Sequence, residues 1–487
     1  MYNRDFTLLT DLYELTMMQG YYHSGNQKDK EVVFDLFYRK NPSGNGFAIC
    51  CGLDLAIDYI KNLKFSEGDL EYLRSLNVFS EDFIEYLSTF RFTGDIYAIP
   101  EGTVVFPMEP LMRVKAPIME AQIIETALLN IINHQSLIAT KAARVVWAAQ
   151  GDPVLEFGLR RAQGPDAGVY GARAAVIGGC TATSNVLTGQ MFDVPVKGTH
   201  AHSWVMSFPT QIEAFRAYAK EFPTGCILLV DTYNTLEQGV PDAITVFKEM
   251  KEKYGEMPKG YGIRLDSGDL AYLSKKARKM LDEAGFTDAV ISASSDLDEY
   301  LISSLKTQGA KISLWGVGTK LITSDDCPAF GGVYKLAAET DENGEFVPKI
   351  KLSNNPEKVT LPGIKKIVRL YEKETGKIKA DLITLEDETF NTDEDLVIFD
   401  PNATWKVTTL KGGTYTTREL LVPVFVKGEL VYESPKTSEI KAYADAELNT
   451  LWDEHRRLTN PQEVYVDLSE KLYNLREQMI RKMRKLK

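Results

Sequence analysis

Apolar runs in the middle of the chain alternate with amphipathic segments at a regular spacing. Four β-type runs begin at residues 226, 262, 289 and 312, and helical patterns separate them. The intervals of 36, 27 and 23 residues each match the length of one strand followed by one helix. Because these runs are apolar along their whole length, the strands are expected to be buried on both faces. The pattern predicts a parallel sheet flanked by helices.

The segments on either side follow other patterns. Residues 1–118 mix helical runs with short β-type runs, whereas residues 341–487 are β-rich and charged and end in a helix predicted from Leu468 to Lys487. Between them, a long helical stretch from about Met119 to Gln150 leads into the alternating region. We therefore predict three segments, 1–118, 119–340 and 341–487, with the last packing on the first.

The composition limits the kind of ligand that this protein binds. Its 487 residues are 44% hydrophobic and 25% charged, which is typical of a packed globular protein. Lys and Arg together number 56 against 68 Asp and Glu, so the formal net charge is −12. Such an acidic chain is not expected to bind nucleic acid. An anionic substrate would have to meet a local cluster of Arg and Lys.

Cysteine usage and the N-terminal segment bear on the location of the protein. The five cysteines are an odd number, mostly within apolar runs, and form neither a disulfide framework nor a zinc-binding CxxC pair. The N-terminal segment carries Asp5, Asp11 and Glu14 and has no long apolar stretch, so neither a signal peptide nor a membrane span is expected. We expect a cytoplasmic protein with no membrane partner.

A polar residue stands at the carboxyl end of each predicted central strand. These residues are Asp231, Asp266, Ser294 and Thr319. In a parallel barrel, the rim at this end of the strands carries the chemistry. Any one of the four could equally be the N-cap of the helix that follows. Their occurrence in series favours a functional rim.

Three pieces of sequence are suited to an anion. Gly318 and Thr319 end a Gly-Val-Gly turn, where backbone N–H groups and a hydroxyl can approach a phosphate, although a plain tight turn has the same composition. Arg160 offers a fork of donors to a phosphate or carboxylate, or else to a surface ion pair. Arg264 and Asp266 share a strand face, and an Arg at that position needs an anion or a carboxylate beside it.

The most informative short motif is GTHAHSW, which contains Thr199, His200, His202 and Ser203. Two of the five histidines in the chain lie two residues apart here. Metal binding, a structural histidine, and an acid–base or nucleophilic histidine all remain open. The last of these is chemically reasonable because imidazole is partly unprotonated at neutral pH and can attack phosphorus.

Taken together, the motifs of this chain resemble those of the nicotinate phosphoribosyltransferase family. They occur in the family's order between about residues 6 and 336, and the combination is much more specific than any one motif. The motifs are LLTDLYELTMMQGYY, FYRKNPSGNGFAICCGL, PEGTVVFP, EFGLRRAQGPDAG, TSNVLTGQ, GTHAHSW, GIRLDSGDL and WGVGTKLITS with GGVYKL.

This resemblance implies a fold and a reaction. The fold is α/β, an irregular parallel (β/α) barrel of the type II phosphoribosyltransferase kind over residues 119–340, with a mixed α+β domain built from the N- and C-terminal segments. The reaction converts nicotinate and 5-phosphoribosyl-1-pyrophosphate (PRPP) into nicotinate mononucleotide and pyrophosphate, a step of NAD salvage. It is coupled to ATP hydrolysis through a transient phosphohistidine, with Mg²⁺ as the expected cofactor. A homodimer with its active site at the interface is also implied.

The resemblance implies roles for individual residues as well. The phosphorylated position falls on His202, and Asp266 or Asp269 would hold Mg²⁺ or its waters. Arg264 would hold the nicotinate carboxylate, and Tyr13 would pack on the pyridine ring from the neighbouring subunit. The expected substrate-binding residues are Tyr13, Phe157, Arg160, Thr199, Ser203, Arg264, Gly318 and Thr319, where Arg160 faces the ribose diphosphate and the last two take the 5-phosphate.

Two alternatives remain at this point. A nicotinamide-using phosphoribosyltransferase on the same fold would share most of these residues, because either the acid or the amide could face Arg264. A non-catalytic nucleotide-binding barrel is the other alternative. The intact set of Arg160, His202, Arg264 and Thr319 speaks against it.

Overall fold

The computed structural model describes residues 5–355, 358–401 and 403–485. Within these ranges, the helices in chain order are α1 (Leu12–His23), α2 (Leu53–Asn62), α3 (Glu67–Ser75), α4 (Glu81–Ser88), α5 (Ile118–Ile123), α6 (Glu125–Ala148), α7 (Pro165–Ile177), α8 (Val186–Phe192), α9 (His202–Met206), α10 (Gln211–Glu221), α11 (Val240–Tyr254), α12 (Leu270–Glu283), α13 (Glu299–Thr307), α14 (Thr319–Ile322), α15 (Thr437–Leu448) and α16 (Glu470–Lys485).

The strands of the same ranges belong to five sheets. In chain order they are β1 (Glu31–Tyr38), β2 (Ala48–Ile49), β3 (Asp95–Ala98), β4 (Val104–Val105), β5 (Met112–Pro117), β6 (Val154–Glu156), β7 (Ala182–Thr183), β8 (Ile227–Leu229), β9 (Gly262–Leu265), β10 (Val290–Ala293), β11 (Leu314–Val317), β12 (Gly332–Thr340), β13 (Phe346–Pro348), β14 (Lys365–Glu372), β15 (Ile378–Leu385), β16 (Leu396–Phe399), β17 (Val407–Leu410), β18 (Tyr415–Glu419), β19 (Val422–Val426), β20 (Glu429–Leu430) and β21 (Tyr465–Leu468).

The chain divides into two compact units. The first consists of Met1–Leu137, Ala329–Pro435 and Ala442–Lys487, and the second of Ile138–Pro328 and Lys436–Lys441. These limits differ from the boundaries at 118/119 and 340/341 that the sequence pattern gave, and the three-segment division stays a prediction.

The first unit contains a seven-stranded sheet in the order β13-β12-β1-β5-β3-β19-β20. Every neighbouring pair in it is antiparallel. Strand β1, which lies between β12 and β5, is buried along nearly its whole length, as its sequence EVVFDLFY requires. Its buried acid, Asp35, is compensated by the buried Lys365, with Oδ2 and Nζ 2.7 Å apart. Strands from both ends of the chain therefore build one sheet.

The second unit contains a six-stranded parallel sheet in the order β7-β6-β11-β10-β9-β8. All four strands expected from the apolar runs are present in it and run parallel, so the α/β class with a parallel sheet is confirmed. The structure adds β6 and β7, which have only three and two residues. Unlike β8, neither lies within a long continuous apolar run, so neither gives a strand signal in the sequence.

The helices differ from the sequence prediction at two places. The long stretch expected from Met119 to Gln150 is two helices, α5 and α6, separated at Ile124. The last helix begins at Glu470, and its predicted end at Lys487 lies outside the described residues. None of the helices that the structure describes is long and apolar enough to cross a membrane.

Candidate active site

Arg264 lies at the centre of a group of polar side chains at the carboxyl ends of the parallel strands. It projects from β9, and its Nη1 donates a hydrogen bond to Oγ1 of Thr199 at 2.7 Å. Nη2 donates to Oδ1 of Asp266 at 3.0 Å, as expected for two residues that share a strand face. Asp266 is therefore the carboxylate that compensates the charge of this partly buried Arg.

Ser294 connects the end of β10 to the same group. Its hydroxyl accepts a hydrogen bond from Nε of Arg264 at 2.8 Å and donates one to Oδ1 of Asp266. Partial burial of Asp266 disfavours its charged form. The hydrogen bond from Ser294 and the charge of Arg264 outweigh burial and lower the pKa of Asp266 below its usual value. Asp266 is therefore ionised at neutral pH.

His202 is the first residue of α9, and its imidazole lies beside two carboxylates. Its side chain is 40% exposed. Nδ1 is 3.1 Å from Oγ1 of Thr232, within hydrogen-bonding distance. Nε2 lies 3.8 Å from Oδ2 of Asp266 and 4.0 Å from Oδ1 of Asp231. The imidazole is thus accessible, and Nε2 faces the acidic side of the site.

The side chain of Asp231 is almost fully buried, at 2% exposed. Its Oδ2 accepts hydrogen bonds from the backbone N–H of Asp266 at 2.9 Å and from the hydroxyl of Ser267 at 2.6 Å. Its Oδ1 is buried without a hydrogen-bond partner among the described residues. A buried carboxylate oxygen with no partner is costly, so this atom is available to a ligand or a cation.

His200 has a different environment, although it belongs to the same motif. It is 8% exposed, and its Nε2 accepts a hydrogen bond from the backbone N–H of Leu229 at 3.2 Å. Its ring packs edge-on against Tyr218 with centroids 4.7 Å apart. Burial lowers the pKa of His200 to about 4, so the ring is neutral and holds the chain beside β8.

The end of β6 shapes the neighbouring part of the site. Glu156 is buried, and its carboxylate accepts hydrogen bonds from the hydroxyl of Thr183 at 2.6 Å and from the backbone N–H of Gly158. These contacts fix the turn that carries Phe157. The Phe157 ring lies against Gly316 of β11, where a Cβ atom would come within 2.7 Å of the ring. Glycine at 316 thus leaves space for this aromatic side chain.

Three of the expected anion-binding residues lie on the turns that follow β6 and β11. Arg160 is exposed in the 3₁₀ turn Leu159–Arg161, and it makes no ion pair with any described residue. Gly318 precedes α14 and lies close to the backbone of Phe157, while Thr319 is the first residue of that helix. These positions leave the Arg160 guanidinium and the start of α14 open to a ligand.

Among the described residues, neither Asp269 nor Ser203 forms a side-chain hydrogen bond or ion pair with the group around Arg264, and Tyr13 belongs to the other unit. Tyr13 lies on α1 in the first unit, where it is 46% exposed. Asp269 is the N-cap of α12, and its Oδ1 accepts a hydrogen bond from the backbone N–H of Tyr272 at 2.9 Å. Ser203 follows His202 in α9 and has an exposed side chain.

The sequence placed Asp231 and Ser294 at the predicted functional rim without giving either an individual role, and it did not single out Thr232 or Glu156. Asp231 and Ser294 had a signal, since both end a predicted strand. Thr232 and Glu156 had none. Their importance depends on contacts with His202 and with the turn after β6, and neither contact is encoded in local spacing.

Comparison with known proteins places the chain in a family. Two family models match it, described as the nicotinate phosphoribosyltransferase (NAPRTase) N-terminal domain over residues 8–133 and the C-terminal domain over residues 364–476. The nicotinate phosphoribosyltransferase of Bacillus subtilis (strain 168) is 50% identical over 480 residues, which cover 98% of this chain and 96% of that protein. The chain belongs to the nicotinate phosphoribosyltransferase family.

More distant members of the nicotinate phosphoribosyltransferase family also match over most of their length. The Caenorhabditis elegans protein of that name is 35% identical, with 96% of this chain and 92% of that protein covered. The crystal structure of human nicotinic acid phosphoribosyltransferase has a TM-score of 0.84 and 30% identity, covering 96% of this chain and 99% of the human one. The resemblance thus extends beyond residue 336, where the sequence motifs ended.

Proposed function

We propose that this protein forms nicotinate mononucleotide and pyrophosphate from nicotinate and PRPP, coupled to ATP hydrolysis through a phosphohistidine at His202. The observation that carries the proposal is the partly exposed imidazole of His202 beside Asp231, Asp266 and Arg264. The names of its relatives support the choice of nicotinate as substrate. The reaction belongs to NAD salvage.

Nε2 is the nitrogen of His202 that is suited to accept a phosphoryl group. Nδ1 is engaged with Thr232, whereas Nε2 has no hydrogen-bond partner among the described residues. Attack of Nε2 on the γ-phosphorus of ATP forms an N–P bond and releases ADP, and later transfer of the phosphoryl group to water restores the imidazole. A phosphoryl group here adds negative charge beside Asp231 and Asp266, so the site requires a cation.

The carboxylates of the site fit Mg²⁺. Oδ1 of Asp231 has no partner among the described residues, and Oδ2 of Asp266 lies near the same imidazole. The described residues contain no group of three metal-binding side chains, so substrate phosphates would complete the coordination, as is usual for Mg²⁺. When bound, Mg²⁺ neutralises charge on the pyrophosphate. Asp269, the other expected ligand, already caps α12.

The remaining residues would orient the two substrates. Arg264 and Thr199 hold the nicotinate carboxylate, and the pyridine ring lies between Phe157 and Tyr13 of the partner subunit in a homodimer. Arg160 faces the ribose diphosphate, Gly318 and Thr319 take the 5-phosphate, and Ser203 lies at the rim beside them. Displacement of pyrophosphate at the anomeric carbon has an oxocarbenium-like transition state. Holding the pyridine nitrogen in line with the bond that breaks therefore accelerates the reaction through orientation.

We infer that the parallel sheet closes into the irregular barrel of this kind of phosphoribosyltransferase. Thr183 of β7 forms a parallel bridge with Val196, and further along the same segment His200 accepts a hydrogen bond from β8. The segment 196–200 thus connects the two edge strands of the sheet. We also place the protein in the cytoplasm, because an odd number of cysteines lying mostly within apolar runs does not suggest a disulfide framework.

A turnover assay with nicotinate, PRPP and Mg²⁺, with and without ATP, tests the proposal. We expect mononucleotide formation that ATP stimulates, and label from γ-labelled ATP that remains on the protein in an acid-labile form. His202→Ala should lose the label and the stimulation but keep slow ATP-independent turnover. Full ATP stimulation in that variant would refute the assignment.

The same assay distinguishes the alternatives. Competition between nicotinate and nicotinamide tests the nicotinamide-using enzyme, which would prefer the amide. Absence of turnover despite binding of PRPP would indicate a non-catalytic barrel.

A further inference from the structure

Ser294 is hydrogen bonded to two residues of the candidate active site, Arg264 of the neighbouring strand β9 and Asp266, which follows that strand. It directly follows β10, is 5% exposed, and accepts a hydrogen bond from Nε of Arg264 at 2.8 Å. The same hydroxyl donates to Oδ1 of Asp266. Because an arginine only donates and an ionised carboxylate only accepts, the direction of both hydrogen bonds is fixed.

The Ser294 hydroxyl accepts the hydrogen bond from Nε of Arg264 that the Asp266 carboxylate would otherwise accept. The N–H of Nε and one N–H of Nη2 point the same way, and this edge of a guanidinium binds a carboxylate with two parallel hydrogen bonds when both oxygens can reach it. Here Oδ1 of Asp266 takes only the Nη2 donor, at 3.0 Å, because the Ser294 hydroxyl takes the other. Oδ2 of Asp266 is left facing Nε2 of His202.

The same contacts determine which donors of Arg264 remain for a ligand. Nη1 donates to the Thr199 hydroxyl at 2.7 Å and reaches the carbonyl oxygen of His200 only at 3.5 Å. The second N–H of Nη2 has no partner in the part of the chain that the structure describes. The end of the guanidinium away from Nε is therefore the part that an incoming carboxylate can meet.

We propose that Ser294 is a positioning residue for the phosphoribosyl transfer. Its hydroxyl prevents Arg264 and Asp266 from closing into a bidentate ion pair, so that Arg264 presents its far end to the carboxylate of the pyridine substrate and Asp266 keeps Oδ2 towards His202. Ser294 itself touches neither substrate. The inference rests on the proposed function, because it takes the assignment of Arg264 to the nicotinate carboxylate as given.

Steady-state kinetics of full-length variants test this inference. Ser294→Ala should raise the KM for nicotinate roughly tenfold, the effect of about one charge-assisted hydrogen bond, and should narrow the preference for nicotinate over nicotinamide. Ser294→Thr, which keeps the hydroxyl, should restore both values to within about twofold of the wild type. Ser292→Ala is the matched control, since Ser292 lies on the same face of β10 and is 3% exposed, and it should change neither.

Two results would overturn the role of Ser294. The first is that Ser294→Ala has the same KM for nicotinate as the control Ser292→Ala. The second is that Ser294→Thr is as impaired as Ser294→Ala although circular dichroism shows both to be equally folded. Arg264→Lys shows whether the proposed function is at fault. If Arg264→Lys leaves the KM for nicotinate unchanged, Arg264 does not bind the nicotinate carboxylate, and the role of Ser294 is refuted with it. If Arg264→Lys raises the KM for nicotinate and Ser294→Ala does not, only the role of Ser294 is refuted and the carboxylate assignment stands.

Discussion

Two histidines of one short motif have opposite environments. His200 is buried, neutral and hydrogen bonded to the backbone N–H of Leu229, whereas His202 is 40% exposed beside two carboxylates. The first contributes to the fold, and the second is the one that we propose for the chemistry. Sequence spacing cannot distinguish them, because both are flanked by small residues.

His200→Ala should destabilise the protein, whereas His202→Ala should not. The first substitution leaves a cavity and an unsatisfied backbone N–H, which together cost about 2–4 kcal/mol in the free energy of unfolding. The second removes a partly exposed side chain and should stay within about 0.5 kcal/mol of the wild type. Urea unfolding of both variants measures the difference. Equal loss of stability in the two would contradict this division of roles.

A buried glutamate on α1 should make stability depend on pH. Glu14 is fully buried, and its carboxylate accepts hydrogen bonds from Gln122 and from Thr126. Burial raises the pKa of Glu14 from 4.5 to about 7. A raised carboxyl pKa stabilises the folded state fully below pH 4.5, and this contribution is lost as the pH rises to about 7.

Glu14→Gln should therefore gain stability relative to the wild type as the pH rises from 4.5 to 8. We expect a change of about 1–2 kcal/mol in the difference between their free energies of unfolding, after allowance for solvent screening. Urea unfolding at four pH values measures it. Glu71→Gln, at an exposed position of α3, is the control and should show no such trend. A pH-independent difference for Glu14→Gln would disprove the raised pKa.

At the scale of elements, the polar residues that follow the central parallel strands lie together at one rim of the sheet. The residues after β8, β9 and β10 (Asp231, Asp266 and Ser294) are linked by hydrogen bonds because neighbouring parallel strands end side by side. Asp269, only three residues beyond Asp266, caps α12 instead. Its place in the helix, rather than its charge, determines what it contacts.

Substitutions at Asp269 should affect the helix more than the chemistry. Asn is as good an N-cap as Asp, so Asp269→Asn should keep stability and the Mg²⁺ dependence of turnover, whereas Asp269→Ala should cost about 1 kcal/mol. Asp266→Asn, by comparison, should raise the Mg²⁺ concentration needed for half-maximal rate. A similar rise in Asp269→Asn would show that Asp269 is a metal ligand after all.

At the scale of the whole molecule, the proposed active site combines residues of two subunits. His202 and Arg264 belong to the second unit, and Tyr13 belongs to the first. In the proposed homodimer, Tyr13 comes from the partner subunit. Each site then depends on two chains, and defects in different residues can complement one another.

Co-expression of Tyr13→Ala with His202→Ala should restore ATP-coupled activity that neither variant has alone. In a mixed dimer, one of the two sites combines the intact His202 of one chain with the intact Tyr13 of the other. Random pairing makes half of the dimers mixed, so about one quarter of the wild-type activity is expected. Activity no greater than that of the parents would mean that Tyr13 acts within its own subunit or not at all.

The sequence by itself determined the parallel strands of the second unit and the residues at their ends. Strands 8 to 11 were predictable because continuous apolar runs of this length are buried on both faces. The pairing of Arg264 with Asp266 followed from the two-residue period of a strand. Both features depend only on the spacing of residues along the chain, so they can be predicted from local sequence.

Only the tertiary structure decided which of the candidate residues act together. It separated His200 from His202 by burial and assigned Asp269 to a helix cap. It also placed Asp231 4.0 Å from His202 and hydrogen bonded Ser294 to Arg264. It also supplied β6 and β7, which lie in no continuous apolar run that would predict a strand. Burial and hydrogen-bond partners come from residues distant in sequence, so no local pattern contains them.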